Sequence, residues 1–186
     1  MIETVEIPLA RCAAEALLRP VRTDWAAITT AGRELEVAAG DAWRETVGSQ
    51  GALPLGSAAI TDAGELDAEF VIHVAVASEE GGATPRSVTL ALRNGLRRVE
   101  EWDVRDLALP LLGTGPGALD PETACRIMDP LLSELEAGGE RRIRVCVPET
   151  GDRRVAAGWW PPGEQGTDGA DGTDGADDGR TPADTG

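Results

Sequence analysis

LALPLLGTGPGALDPE, residues 107–122, passes from an apolar run through a glycine-rich loop into a helix start. The run Leu107–Leu109 predicts a buried strand, and Asp120 followed by Pro121 is typical of a capped helix N-terminus. Such a loop presents unshielded backbone N–H groups beside the positive end of a helix dipole. The stretch therefore predicts either a cradle for a phosphate or diphosphate, or simply a tight strand-to-helix turn. It has neither the Gly-Lys-Ser/Thr of a Walker loop nor the dinucleotide-binding glycine spacing.

Strand and helix patterns alternate around this loop. Phe70–Ala77, FVIHVAVA, is almost continuously apolar, as expected for a strand covered by helices on both faces. Thr84 followed by Pro85 begins an amphipathic helix, and a second apolar stripe follows the glycine loop until Gly138, with a kink or break expected at Pro130. Residues 143–147 supply a last strand. This order predicts a helix-covered sheet with ligands at the carboxyl ends of its strands.

The first half gives weaker signals. Residues 2–8 alternate as in a short edge strand, and residues 57–62 resemble a strand that approaches a hairpin. Residues 13–18 fit helix or strand, although the Arg19-Pro20 step disfavours helix. A short helix is predicted over residues 30–39, ended by Gly40, with a further helical turn around Trp43.

Charge and cysteine content narrow the possible classes of protein. The 186 residues carry a formal charge of −16, and all 17 basic residues are arginine. This balance argues against nonspecific nucleic-acid binding. We find no membrane-spanning or export pattern and expect a cytoplasmic protein. The odd number of cysteines, without metal-ligand spacing, predicts reduced core thiols at Cys12, Cys125 and Cys146. His73, alone within an apolar strand, is interpreted as a hydrogen-bonded core residue.

The last part of the chain has a different composition. From Trp159 onward, seven acidic residues and Arg180 give a charge of −6, which leaves −10 for the rest. The chain is therefore divided into a domain, residues 1–158, and a disordered acidic Gly/Asp-rich tail, residues 159–186. The spacing of the aspartates matches no EF-hand or nonapeptide repeat, so no metal site is predicted.

The run from Phe70 to Met128 resembles a macro domain, an ADP-ribose-binding module. FVIHVAVA corresponds to the central strand of that family, and residues 87–128 correspond to its long helix, the next strand, the diphosphate loop and the following helix. The resemblance implies an α/β fold, specifically a three-layer α/β/α sandwich with a mixed central sheet. It also implies a loop whose backbone amides wrap a diphosphate and distal ribose, formed by Gly113, Thr114, Gly115, Pro116, Gly117, Ala118 and Leu119.

The first half departs from the family. Where a macro domain has Asn-Ala-Ala-Asn and a triple-glycine loop, this chain places Arg19 and Arg22 at the asparagine positions and Ile28–Gly32 in the loop. A guanidinium there either fills part of the cleft or binds phosphate. Both arginines are therefore candidate ligand-binding residues.

Three functions follow from the resemblance. The first is a divergent module that binds ADP-ribose, a related nucleotide diphosphate or an ADP-ribosylated protein through residues 113–119. The second is a non-binding scaffold or interaction domain whose cleft is closed by Arg19, Arg22 and residues 28–31. The third is an ADP-ribosyl hydrolase with Asp120 or a water as base, although helix capping is the expected role of Asp120. Catalytic residues and oligomeric state stay open, and no cofactor, membrane or nucleic-acid partner is expected.

Overall fold

A computed structural model describes residues 1–115, 118–148 and 150–163, which form a six-stranded mixed sheet with helices on both faces. The strands are β1 Ile2–Val5, β2 Ala16–Arg22, β3 Ala58–Asp62, β4 Phe70–Ala77, β5 Asp106–Pro110 and β6 Arg142–Cys146. The helices are α1 Thr30–Ala38, α2 Asp41–Gly48, α3 Pro85–Glu101, α4 Pro121–Ala137 and α5 Thr150–Trp159, with a 3-10 turn at Leu9–Arg11. Among the described helices, none combines the length and the apolar character that crossing a bilayer requires.

The strand order is β1-β6-β5-β2-β4-β3. All neighbouring strands are parallel except β3, which pairs antiparallel with β4 through a short connection. Strands β6, β5 and β2 are neighbours in this order and run parallel. Their carboxyl ends therefore adjoin one another. The predicted mixed sheet is confirmed, and this adjacency positions the candidate site.

Two apolar clusters lie on opposite faces of the sheet. One contains residues of α3, α4 and α5, including Val88, Met128 and Ala156. The other contains residues of α1 and α2, including Leu35 and Trp43. Strand side chains alternate between the two faces, as the period of a strand requires. The three-layer α/β/α sandwich is therefore confirmed.

Helices α3 and α4 begin as their sequences predict. Thr84 accepts a hydrogen bond from the Ser87 N–H before α3, and Asp120 accepts one from the Thr123 N–H before α4. The sequence predicts a kink or break at Pro130, but α4 runs through this residue as one helix. Pro130 lies on the exposed side, where water can bind the carbonyl group that lost its N–H partner.

Two regions differ from expectation. The ambiguous segment before Arg19 is the central strand β2, and α5 was not predicted because its apolar face is short. The ordered contacts continue past residue 158, where the predicted domain ends: Trp160 is buried, and Pro161 and Gly163 hydrogen-bond to Thr4 of β1. The remainder of the predicted tail, from residue 164, lies outside the described residues.

A buried guanidinium links several elements on the face of the sheet covered by α1 and α2. Arg19 is 1% exposed; its Nε donates to His73 Nδ1 (3.1 Å) and its Nη1 to Glu36 (3.0 Å). Its Nη2 donates to the carbonyl oxygen of Trp25 at 2.8 Å. The His73 ring also stacks on Trp43. Arg19 thus joins β2, β4, α1 and the chain that precedes α1.

His73 is neutral in this environment, as its predicted core role requires. Its Nδ1 accepts the Arg19 hydrogen bond, so the neutral ring carries its proton on Nε2, which lies 3.0 Å from Thr61 Oγ1. Burial, with the nearby Arg19 charge, holds the pKa of His73 well below its usual 6.5. Protonation would place two cationic donors against each other.

Replacing Arg19 with alanine is expected to lower the free energy of unfolding by about 3–5 kcal/mol, because it leaves buried partners unpaired. Arg22→Ala is the matched control: its pair with Asp24 is partly exposed, so its loss is expected to be below about 1 kcal/mol. Urea unfolding of both variants measures the difference. Equal losses of unfolding free energy would contradict the role of Arg19 in joining β2, β4 and α1.

Stability is expected to fall as the pH drops through a window that begins at about 6.5, the pKa of an unperturbed histidine, by up to about 1.4 kcal/mol per pH unit. In this window the unfolded chain protonates His73 while the folded chain does not, so the unfolded state binds more protons and gains stability. Urea unfolding across the window tests this. His73→Gln keeps an acceptor and a donor but does not titrate, so it should give a flatter profile. Identical slopes would contradict the assignment.

Candidate functional site

The loop after β5 begins with a strained turn and leaves several backbone donors open. Gly113 has φ +80°, and an added Cβ there would lie 2.9 Å from Val88, so glycine is required. The Leu119 N–H bonds to the Gly113 carbonyl oxygen (2.9 Å) and the Ala118 N–H to that of Gly115 (3.0 Å). Within the described residues, the N–H groups of Gly113, Thr114 and Gly115 have no hydrogen-bond partner. Residues 116 and 117 lie outside the described residues.

A cavity of about 420 Å³ lies beside this loop, at the carboxyl ends of β2, β5 and β6. Its size falls within the usual range for small-molecule sites. It is lined by Leu9, Pro20, Ile28, Thr29, Thr30, Ala31, Arg33, Pro110, Leu111, Thr114, Gly115, Cys146, Val147, Pro148 and Asp152. The predicted location at the strand ends thus contains an open cavity.

The N-terminus of α1 forms the opposite wall of the cavity. Thr29 caps this helix by accepting from the Gly32 N–H at 3.0 Å. The N–H groups of Thr30 and Ala31, which also line the cavity, have no hydrogen-bond partner among the described residues. Two sets of backbone donors therefore face one space, and the positive end of the α1 dipole adds to them.

The two walls meet at Gly115. A Cβ added to Gly115 would lie 3.7 Å from the Ile28 carbonyl oxygen and 3.7 Å from Thr29 Cγ2, which is ordinary contact. A second cavity of about 380 Å³ lies on the other side of this contact and shares Ile28 and Gly115 with the first. Ala118 and Arg22 line this second cavity. Gly115 therefore lies between the first and the second cavity, which have comparable volumes.

Comparison with known proteins identifies this arrangement. The family model described as Macro domain matches residues 21–128, more than half of the chain. The chain belongs to the macro domain family. An uncharacterised protein of Sulfolobus acidocaldarius is 34% identical over 103 residues, which are 55% of this chain and 56% of that protein. Among the first curated relatives, the match spans about half of each protein or less.

Solved macro domain structures share the fold. The Oceanobacillus iheyensis macrodomain with ADP superposes with a TM-score of 0.74 at 16% identity, covering 83% of this chain and 86% of that chain. The Trypanosoma brucei macrodomain in complex with ADP-ribose gives a TM-score of 0.72 at 15% identity, covering 83% and 66%. Identities this low show similarity of fold alone.

The predicted site residues of this macro domain have different positions. Thr114 and Gly115 line the first cavity, and Gly115, Ala118 and Arg22 line the second. Leu119 packs against the apolar cluster of α3 and α4 instead. Pro116 and Gly117 lie outside the described residues. The loop thus contributes both cavity-lining and core-packing residues.

Neither candidate arginine fills the first cavity. Arg19 does not line this cavity; its guanidinium is buried between the sheet and α1, where it is bonded to His73, Glu36 and the Trp25 carbonyl oxygen. Arg22 pairs with Asp24 at the end of β2. Side chains alternate along a strand, so residues 19 and 22 cannot share one face of β2. Arg19 is therefore not part of the proposed ligand site.

Asp120 is a helix cap, as its position before Pro121 predicts. Its carboxylate accepts hydrogen bonds from the Thr123 N–H (2.9 Å) and the Thr123 hydroxyl (2.7 Å). These bonds lower the pKa of Asp120 below its usual range. The carboxyl group is exposed, and Asp120 lines neither cavity.

All three cysteines are free and buried, as predicted. Burial raises the pKa of Cys125 to about 12, and Cys125 lines neither cavity. Cys146 lines the first cavity, and its interaction with Cys12 lowers the pKa of the Cys12 thiol. Within the described residues, no cluster of three histidine, cysteine or acidic side chains is suited to hold a metal ion.

The sequence did not indicate the wall formed by Val147, Pro148 and Asp152. The rule that ligands collect at strand carboxyl ends points to residues after β6. This rule could not be applied from the sequence, because only the tertiary structure shows that β6 lies beside β5. Asp152 was missed together with helix α5.

Replacing Asp120 with alanine is expected to lower the free energy of unfolding by about 1 kcal/mol, because α4 loses its N-cap. Asp120→Asn keeps an oxygen that can accept from the Thr123 N–H, so its loss should be smaller. Urea unfolding measures both variants. An unchanged stability for Asp120→Ala would contradict the capping role.

Proposed function

We propose that this macro domain binds ADP-ribose, or a related nucleotide diphosphate, in the cleft between the glycine loop and the N-terminus of α1. One observation carries the proposal. Backbone N–H groups without hydrogen-bond partners among the described residues belong to residues on two walls of the same cavity, Thr114 and Gly115 on one and Thr30 and Ala31 on the other. Unpaired backbone donors of this kind stabilise an anion, and an extended diphosphate can contact both walls at once.

The position of Gly115 supports a ligand that passes between the two hollows. The cavities are about 420 and 380 Å³ and adjoin at Gly115 and Ile28. A nucleotide diphosphate is long enough to place its two ends in different pockets while its phosphates lie at the loop. The macro domains of Oceanobacillus iheyensis and Trypanosoma brucei were solved with ADP and ADP-ribose, respectively.

The scaffold alternative is less well supported than binding. It requires Arg19, Arg22 and residues 28–31 to close the cleft. The guanidinium of Arg19 is instead bonded to His73 and Glu36 and does not line the cavity, and residues 28–31 line an open cavity. Ile28 lines both cavities, and both stay open.

Hydrolysis is also less well supported. The candidate base Asp120 is engaged by Thr123, and those hydrogen bonds lower its pKa, which weakens it as a base. The activity therefore proposed is binding rather than bond cleavage.

Gly115→Glu is expected to reduce ADP-ribose affinity at least about tenfold, a loss of roughly 1.4 kcal/mol, because a carboxylate at the junction repels the diphosphate. Gly115 has no positive φ, so the variant should fold. Gly48→Glu is the matched control, since it adds the same charge at an exposed position of α2 with no atom near its Cβ. Isothermal titration calorimetry with ADP-ribose measures all three proteins.

A ligand series sharpens this test. ADP-ribose and ADP should bind, whereas adenosine should bind much more weakly because it lacks the diphosphate. Absence of ADP-ribose binding at millimolar concentration, or equal affinity in Gly115→Glu, would overturn the proposal. Release of free ADP-ribose from a modified protein would instead favour the hydrolase.

A further inference from the structure

Another cavity, with a distinct chemical character, lies at the outer edge of the sheet beside β1. Its volume is about 540 Å³, and Arg142, Arg144, Arg153 and Arg154 line it. We call it the arginine pocket. Four of the 17 arginines of a chain with a net charge of −16 meet there. Like charges repel, so such a group needs anionic partners nearby.

The described carboxylates balance this positive charge only in part. Arg142 pairs with Glu3 at 2.7 Å, Arg144 pairs with Asp106 at 2.7 Å, and Arg153 pairs with Glu6. No described residue forms an ion pair with Arg154, the fourth member. The cluster therefore keeps a net positive charge and several unused guanidinium donors.

Arg144 provides an independent sign of a missing acceptor. It is only 7% exposed, and its Nη2 donates to Asp106 and to the carbonyl oxygen of Ala13. Its buried Nε has no hydrogen-bond partner among the described residues. A buried donor without an acceptor destabilises a fold, so an oxygen from an occupant of the pocket would complete the site.

The described chain ends at this pocket. The Thr4 N–H donates to the Pro161 carbonyl oxygen and the Gly163 N–H to that of Thr4, both at 3.0 Å. These bonds hold residues 161–163 along β1, and Gly163 lines the arginine pocket. The next residue is Glu164, the first of seven acidic residues that share residues 164–186 with one arginine.

Charge distinguishes this pocket from its neighbour. Gly163 also lines a larger cavity of about 1100 Å³, where Arg141, Arg142 and Met1 line the walls together with Glu3, Glu136 and Glu140. The Met1 ammonium group pairs with Glu136 there, so that lining is balanced in charge, whereas Arg153 and Arg154 attract an acidic segment that leaves Gly163. The arginine pocket is therefore the favourable destination.

We propose that the arginine pocket binds carboxylates of the chain's own residues 164–186. Asp168 is five residues beyond Gly163 and can reach up to roughly 17 Å. Attachment at Gly163 gives the segment an effective concentration on the order of millimolar, so weak ion pairs suffice for occupancy. The cleft proposed for ADP-ribose has no part in this contact, so each proposal can fail without the other.

Arginine labelling of the full-length chain tests the contact. A tail-neutral variant carries Glu164→Gln and serine in place of the six aspartates at positions 168, 171, 174, 177, 178 and 184. Phenylglyoxal modification, followed by peptide mass spectrometry, measures the reactivity of each arginine. At low ionic strength, Arg153 and Arg154 should react about threefold or more slowly in the unmodified chain than in the variant. Exposed Arg86 on α3 is the internal control and should react equally in both.

Two further experiments test whether the acidic residues cause the slower modification of Arg153 and Arg154. A synthetic peptide of residues 164–186 should restore protection to the tail-neutral protein, whereas its serine-substituted version should not. The protection should disappear at about 1 M salt, where the screening length is about 3 Å. Equal reactivity of Arg153 and Arg154 in both proteins, or an equal change at Arg86, would overturn the proposal.

Discussion

A buried guanidinium holds together the parts of this fold that form the cleft. Arg19 binds β4 through His73, α1 through Glu36 and the chain before α1 through the Trp25 carbonyl oxygen. Trp25 has φ +69°, a strained conformation that its neighbours must maintain. Because residues 28–31 follow directly, the position of one cleft wall depends on a charge buried beneath α1. Such a buried charge is stable only with all its partners present.

The cleft follows from incomplete backbone pairing at two chain reversals. After β5, Gly113 turns the chain so that only part of the loop bonds internally. Before α1, the Thr29 side chain accepts a hydrogen bond from the Gly32 N–H. The N–H groups of Thr30 and Ala31 have no acceptor among the described residues. Both sets face one cavity because the sheet places β5 beside β2. An anion recognised by main-chain donors does not require cationic side chains, which suits so acidic a protein.

Local patterns predicted those elements whose signals lie within one segment. The apolar run of β4, the Thr84 and Asp120 caps and the loop that starts at Gly113 were correct because propensity, capping and hydrophobic period act over a few residues. Helix α5 and the buried position of Trp160 were missed, since both depend on packing against distant strands. The role of Arg19 was also missed, because its partners lie up to 54 residues away.

The sequence by itself determined the alternation of strands and helices, the family and the place of the glycine loop, since each is written in short-range residue order. Tertiary structure alone decided that β2 lies between β4 and β5, that Arg19 faces away from the cleft and that four arginines meet beside β1. The physical reason is that strand order and side-chain facing arise when separate segments bury their apolar surfaces together. No single segment contains that information.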